Sequence, residues 1–200
     1  LVDPALRGPA DLQAAEQDWA WAMEKAHGTA ALELAAGGLQ ASLDLYEATG
    51  KPDYADAAAE FARTVTACQK RSPQPDWDIP LTGYFCSDTG KTRAIHYAHR
   101  GHEQAPAVGL VRMCRLFPDH PDWIDWYAAL VLYSEYYRTV AGYDEPWGMI
   151  PASIYAVDES GRDTFRKQVE NGIRVGPKHY LRRFPVWFDF RGNHGTALSQ

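Results

Sequence analysis

Three histidines, an arginine and a glutamate stand close together in the stretch HYAHRGHEQAPAVGL, just ahead of an apolar run. His96, His99 and His102 recur at three-residue spacing, and Glu103 follows directly. Residues of these types bind metals, transfer protons at catalytic sites or form polar helix entries. A zinc site needs three or four converging ligands, and Arg100 would place a cation beside the metal. We therefore expect no metal or organic cofactor here, and we interpret the cluster as a binding or catalytic site, with a polar helix entry as the alternative.

A second stretch, FDFRGNHGTAL, repeats this layout near the end of the sequence. Arg191 is followed by glycine, Asn193 and His194, as Arg100 is followed by glycine and polar residues, and Asp189 lies just upstream. Each stretch precedes a predicted helix. Two such loops predict that the starts of helices from different hairpins meet at one end of the domain. The free N–H groups of those helix starts favour ligand oxygens.

Composition narrows the class of protein. The chain has 200 residues, 46% hydrophobic and 23% charged, which is typical of one globular domain. Its net charge of -6 argues against a nucleic-acid partner, and its longest apolar run, YAALVLY, is too short to span a bilayer. The three cysteines are widely spaced, which argues against a disulfide framework, and Cys68 and Cys114 fall on apolar helix stripes. We expect a soluble protein without a membrane partner, whose compartment and oligomeric state stay open.

Apolar residues at helical spacing predict that the chain is mainly α-helical. The segment 11–26 is the first predicted helix, and four apolar stripes follow it. The first two stripes consist of Ala31, Leu34, Ala35, Gly38, Ser42, Leu45 and Tyr46, and of Tyr54, Ala57, Ala58, Phe61, Val65 and Cys68. The other two consist of Ala107, Leu110, Val111, Cys114 and Phe117, and of Trp123, Trp126, Tyr127, Leu130, Ser134 and Tyr137. The only strand we consider falls within 180–190.

Two connectors between these stripes share a pattern. The segments YEATGKPDYADAAAEF and CRLFPDHPDWIDWYAAL each join two helices through Pro-Asp-aromatic. When Pro52 is aligned with Pro121, Asp53 matches Asp122. Proline and acidic residues suit the first turn of a helix. The pattern therefore predicts repeated α/α hairpins.

Five aromatic residues lie in the long loops rather than on the stripes: Trp77, Tyr84, Trp147, Tyr155 and Trp187. Aromatic rings stack on the C–H faces of sugars, so these residues are candidates for sugar-binding platforms. The alternative is that they anchor the loops to the helices. By contrast, Trp19, Trp123 and Trp126 lie on predicted helices, where we expect them to pack against other helices.

The connector LYEATGKPDYADAA and the entry VWFDFRGNHGTALSQ resemble those of the six-hairpin, (α/α)6-barrel glycosidases, and family 9 of the glycoside hydrolases is the nearest match. The resemblance implies that residues 1–200 form one all-α toroid-type domain, truncated at its C-terminus. It also implies inverting hydrolysis of a glycan by a general acid and a general base. Family 9 carries the base in an Asp-Ala-Gly-Asp motif. The closest segment here is GYFCSDTGK, which offers only Asp88.

The candidate catalytic carboxylates are Glu103 and Asp189, the preferred pair, and then Asp88, while Glu145 ranks behind them. The candidate carbohydrate-binding residues are His99, Arg100, His102, Arg191, Asn193, His194, Tyr84, Trp147 and Trp187. Two alternatives stay open. A polysaccharide lyase or sugar epimerase would use His or Tyr as a base and Arg to neutralise a uronate. A non-catalytic glycan-binding module would keep the aromatic residues alone.

Overall fold

Five α-helices and one small sheet make up the part of the chain that the computed structural model describes, residues 8–94, 105–141, 153–156 and 172–182. The helices are α1 Pro9–Ala26, α2 Leu32–Thr49, α3 Pro52–Ala67, α4 Ala105–Leu116 and α5 Trp123–Ala141. The strands are β1 Ser153–Ala156, β2 Gly172–Arg174 and β3 His179–Arg182, in the order β1-β3-β2 with antiparallel pairing. The prediction of a mainly helical chain is confirmed. None of these helices is both long enough and apolar enough to cross a membrane.

The two aligned connectors begin their second helices in slightly different ways. Gly50 ends α2 with a φ of 68°, in the left-handed region that glycine tolerates, and Pro52 is then the first residue of α3. In the second connector, α5 begins two residues after Pro121. There the carbonyl of Asp122 accepts hydrogen bonds from the N–H groups of Asp125 and Trp126, at 3.0 and 3.2 Å. Both connectors thus lead into a second helix, although the exact start of that helix differs between them.

The main hydrophobic core forms around α2, which packs against both α3 and α4. Every residue of the predicted α3 stripe is buried, from Tyr54 to Cys68. Trp126 of α5 is fully buried as well, and Trp19 and Trp123 are half-buried. The helix-packing prediction for these three tryptophans is confirmed.

Three large hydrophobic residues of the other predicted stripes face solvent instead. Leu34 is 53% exposed, Val111 38% and Tyr127 49%, so their assignment to the core is wrong. In α2, the buried side chains include Leu39 and Leu43, which lie on the side that faces α3 and α4. Helix periodicity shows which residues share a face, but the neighbouring helices decide which face is covered.

The two hairpins lie side by side with the same polarity. Gln40 of α2 donates a hydrogen bond to the carbonyl of Ala105 at the start of α4, at 3.3 Å. Seven residues further along both helices, Glu47 pairs with Arg112 at 2.7 Å. Because the contacting residues follow each other in the same direction along both helices, α2 and α4 run parallel. Both helices therefore begin at the same end of the helical layer.

That end is covered by residues 69–94 and by the sheet. A second core cluster joins Leu81 and Tyr84 of this loop to Val140 of α5 and to Ile154 and Leu181 of the strands. The strand predicted within 180–190 overlaps β3 at residues 180–182, whereas β1 and β2 are not predicted; all three strands have only three or four residues. Such short segments carry too little alternation to be recognised.

Candidate functional site

Of the predicted site residues, Asp88 and Tyr84 lie in the part of the chain that the structure describes. The other two predicted catalytic carboxylates, Glu103 and Asp189, lie outside the described residues, as does Glu145. So do the remaining predicted binding residues: His99, Arg100, His102, Arg191, Asn193, His194, Trp147 and Trp187. The site can therefore be built from Asp88 and Tyr84 and from their neighbours.

Asp88 lies in a tight turn, residues 87–92, that is attached to the start of α2. The N–H of Leu32 donates to the carbonyl of Ser87 at 2.9 Å, and the N–H of Thr89 donates to the carbonyl of Ala30 at 3.0 Å. The N–H of Lys91 closes the turn by donating to the carbonyl of Asp88, at 3.0 Å. We call this segment the Asp88 turn. It fixes Asp88 at the end of the helical layer where α2 begins.

The Asp88 carboxylate is held by hydroxyl groups of its own turn. The hydroxyl of Ser87 donates to it at 2.9 Å, and the hydroxyl and the N–H of Thr92 donate as well, the latter at 3.3 Å. These hydrogen bonds, that of the Thr92 hydroxyl above all, lower the pKa of Asp88. The carboxylate is therefore ionised at neutral pH. Asp88 is also half-exposed. It suits a general base or a charge-stabilising group, and not a general acid, which must carry a proton.

Tyr84 belongs to a group of packed rings that we call the aromatic cluster, made of Trp77, Tyr84, Tyr136 and His179. Trp77 stacks on Tyr84 with ring centroids 5.9 Å apart and planes 8° apart, and Tyr136 lies 5.8 Å from Tyr84. Tyr84 is only 5% exposed, and burial raises the pKa of its hydroxyl. The ring supports the loop from inside, and its predicted contact with a sugar stays a prediction.

Trp77 joins this loop to the sheet. The ring of His179 lies 4.9 Å from that of Trp77, and a Cβ added at Gly176 would come within 2.5 Å of Trp77 Cδ1. The close contact explains why glycine occupies position 176. Trp77, one of the predicted sugar-binding platforms, thus anchors its loop, which was the alternative interpretation of these aromatic residues. Burial also lowers the pKa of His179, so its imidazole is neutral at neutral pH.

Ser87, Thr92 and His179 are site residues that the sequence analysis did not single out. A signal for the first two exists, because Ser-Asp-Thr-Gly-Lys-Thr places short hydroxyl side chains and a glycine around an aspartate, as hydrogen-bonded turns do. His179 has no comparable local signal. It meets Trp77 through a contact between residues about a hundred positions apart in the sequence.

The described residues do not offer a metal site. No group of three or more His, Cys, Asp or Glu side chains in these ranges could hold an ion. The three cysteines are free thiols, and Cys68 and Cys86 are buried. Burial raises the pKa of Cys68 to about 12 and that of Cys86 to about 11. Both thiols are therefore protonated and inert at neutral pH, in keeping with the predicted core role of Cys68.

The chain was compared with protein-family models, curated proteins and solved structures. No family model, no curated protein and no solved structure matches the chain.

Proposed function

We propose that this protein hydrolyses glycosidic bonds with two carboxyl groups, at the end of the helical layer where α2 and α4 begin. One observation carries the proposal: the parallel packing of α2 and α4 puts the Asp88 turn and Ala105, the first residue of α4, at the same end. Glu103 is two residues ahead of Ala105, the first residue of α4. Inverting hydrolysis needs an acid and a base on opposite sides of the bond, with their carboxyl groups roughly 6.5–9.5 Å apart.

The hydrogen bonds around Asp88 support one assignment of the two roles. A general base must be ionised before it can take a proton from water, and Asp88 is ionised at neutral pH, although its lowered pKa makes it a weaker base than an ordinary aspartate. A general acid must hold its proton at the working pH, and Glu103 is the candidate for that role. Asp189, which the sequence analysis pairs with Glu103, is then a second candidate for the base.

The side-by-side hairpins also support the finer proposal of an (α/α) toroid. In a toroid, successive hairpins repeat with the same polarity, and their inner helices are parallel. The pairs α2–α3 and α4–α5 follow this rule. Under this proposal the substrate is an oligosaccharide or polysaccharide, and the residues that surround it come from the loops at the covered end.

The experiment that tests the proposal is an assay of the protein with neutral and uronate-containing oligosaccharides. Reducing ends and ultraviolet absorbance are followed together for the wild type and for Glu103→Gln, Asp189→Asn and Asp88→Asn. Hydrolysis produces reducing ends without absorbance, and we expect Glu103→Gln and at least one aspartate variant to lose at least a hundredfold in rate. Elimination by a lyase would create an absorbing double bond instead.

Asp88 needs its own control, because it also holds a turn together. Thr92→Val removes the hydroxyl that bonds to Asp88 and Ser87 but keeps the carboxylate. Asp122→Asn changes a carboxylate that pairs with Arg63 at 3.0 Å on a different part of the surface. If Asp88 is the base, Asp88→Asn loses activity while Thr92→Val and Asp122→Asn keep most of it. Equal losses in Asp88→Asn and Thr92→Val, matched by equal losses of thermal stability, would leave Asp88 with a structural role. Binding of sugars without any turnover would replace the hydrolase with a glycan-binding module.

A further inference from the structure

An apolar groove lies between α1 and α2. Its volume is about 670 Å³. The floor is made of small residues and one ring of α3: Ala15, Ala22, Gly37, Gly38, Ala41 and Phe61. Trp21 on α1 and Leu34 on α2 line the groove, and they are 67% and 53% exposed. Two large apolar side chains are thus left in water beside a concave apolar surface.

The shape of the groove suits one α-helix. Its lining runs from residue 15 to residue 26 along α1 and from residue 33 to residue 45 along α2. At 1.5 Å per residue these stretches are roughly 17 Å long, about three helical turns. The small residues Gly37 and Ala41 let another backbone approach closely. A helix with apolar side chains at i, i+3 or i+4 and i+7 would place three successive anchors in such a groove.

The chemistry of the groove does not suit a sugar. A carbohydrate site needs several hydrogen-bond donors and acceptors that point at the hydroxyl groups. The polar atom of Trp19 is already used, because its Nε1 donates to Ser42 Oγ at 2.9 Å. The charged residues that line the groove are Asp18, Lys25, Glu33 and Asp44. Neither Asp88 nor Tyr84 lines this groove, so it is a separate site from the proposed glycosidase site.

Charge indicates which kind of helix fits. Three of the four charged lining residues are acidic and the fourth, Lys25, is basic; Asp44 is paired with Arg112 at 2.7 Å. Within the part of the chain that the structure describes, no ion pair holds Asp18 or Glu33. The whole chain carries a net charge of -6, which favours the approach of a basic partner over that of a second copy.

We propose that the groove between α1 and α2 binds a basic amphipathic α-helix of a partner protein. The apolar ridge of that helix fills the floor over Gly37 and Ala41 and packs against Trp21 and Leu34. Its lysine or arginine side chains meet Asp18 and Glu33 at the margins. Burial of an aromatic anchor and of a leucine in the centre of the contact supplies most of the affinity, and the acidic margins select the charge of the partner.

The test uses three fluorescein-labelled peptides of fourteen residues. The first has a leucine ridge with lysine and arginine on its flanks, the second has the same ridge with glutamate flanks, and the third is a scrambled form of the first. Binding to the protein is followed by fluorescence anisotropy at low salt and at physiological salt. We expect the basic peptide to bind at least tenfold more tightly than the other two, and more tightly at low salt than at physiological salt.

Four variants locate the binding. A Cβ at Gly37 meets nothing within 4 Å, so a side chain can begin there, and Gly37→Leu, which fills the groove, should weaken binding at least tenfold. Leu34→Ala should weaken it several-fold, whereas Ile124→Ala, which changes a side chain of α5 that is 64% exposed, should leave it unchanged. Reversal of charge in the double variant Asp18→Lys, Glu33→Lys should transfer the preference to the acidic peptide. Circular dichroism and thermal unfolding check that each variant is folded.

Several results would overturn the proposal. These are equal binding of the acidic or scrambled peptide, failure of the basic peptide to bind, and a loss in Ile124→Ala as large as that in Gly37→Leu. Self-association of the protein that Gly37→Leu abolishes would assign the groove to a second copy instead. Glycosidase activity is not read in this test, so its outcome is independent of the proposed function.

Discussion

One side of α2 is closed by α4, and another side is left open beside α1. On the closed side, a Cβ at Gly109 of α4 would lie 2.4 Å from Leu39 Cδ2, so the two backbones have already approached as closely as the side chains allow. On the open side, a Cβ at Gly37 would meet nothing within 4 Å. Both sides consist of small and apolar residues, and the difference between them lies in the partner.

Charge reinforces the difference. Arg112 of α4 reaches across the closed side to Gln40, Asp44 and Glu47 of α2, each at 2.7 Å. Across the open side, Lys25 and Glu33 both line the groove without forming an ion pair with each other. A face of a helix is therefore covered when a neighbouring helix matches it in shape and charge. Apolar residues at helical spacing in the sequence do not ensure that such a neighbour exists.

Truncation of one leucine on each side gives the largest expected contrast. Leu39 is fully buried on the closed side, and Leu39→Ala should lower the free energy of unfolding by about 2–5 kcal/mol because it leaves a cavity. Leu34 is 53% exposed, and Leu34→Ala should cost less than about 1 kcal/mol. Urea denaturation of both variants measures the difference. Equal losses would show that the groove beside Leu34 is closed in solution.

Two neighbouring glycines of α2 give the second contrast. A Cβ at Gly38 would come within 2.5 Å of the ring of Phe61, which is buried, so Gly38→Ala should destabilise the protein by about 1–3 kcal/mol. Gly37 faces the open groove, and Gly37→Ala should stabilise the protein by up to about 1 kcal/mol because alanine favours the helix. Thermal unfolding should therefore shift in opposite directions. A shift in the same direction for both variants would contradict the assignment of Gly37 to the open side.

The same distinction explains how far the sequence predicts the fold. The α3 stripe is predicted correctly because this helix makes most of its contacts with one neighbour, α2, so one strong period appears in its residues. The α2 stripe is displaced because α2 has neighbours on several sides, and its alanines and glycines are small enough to fit any of them. Leu34 is consequently predicted as buried, although it is 53% exposed.

The sequence predicts less of the candidate site than of the fold. Asp88 is identified by its residue type and loop position, but its pKa depends on hydroxyl groups of Ser87 and Thr92 that must first be folded around it. The aromatic cluster depends on contacts between the loop, α5 and the sheet. Such long-range contacts leave no periodic signal in the chain. The types of chemically useful residues can thus be read from the sequence, while their protonation and their neighbours cannot.

The smallest expected effect comes from the charges that join α2 to α4. The Arg112 side chain is 22% exposed, and Arg112→Ala should cost about 1 kcal/mol at low salt because it removes hydrogen bonds to three residues of α2. The loss should decrease at high salt, since these side chains are near the surface. Arg138→Ala is the matched control, because Arg138 is 75% exposed and pairs with Glu135 within the same helix. We expect no measurable change in its stability. If Arg112→Ala behaves like Arg138→Ala at every salt concentration, shape complementarity between Leu39 and Gly109 is sufficient to close this side of α2, and the charges only fix its register.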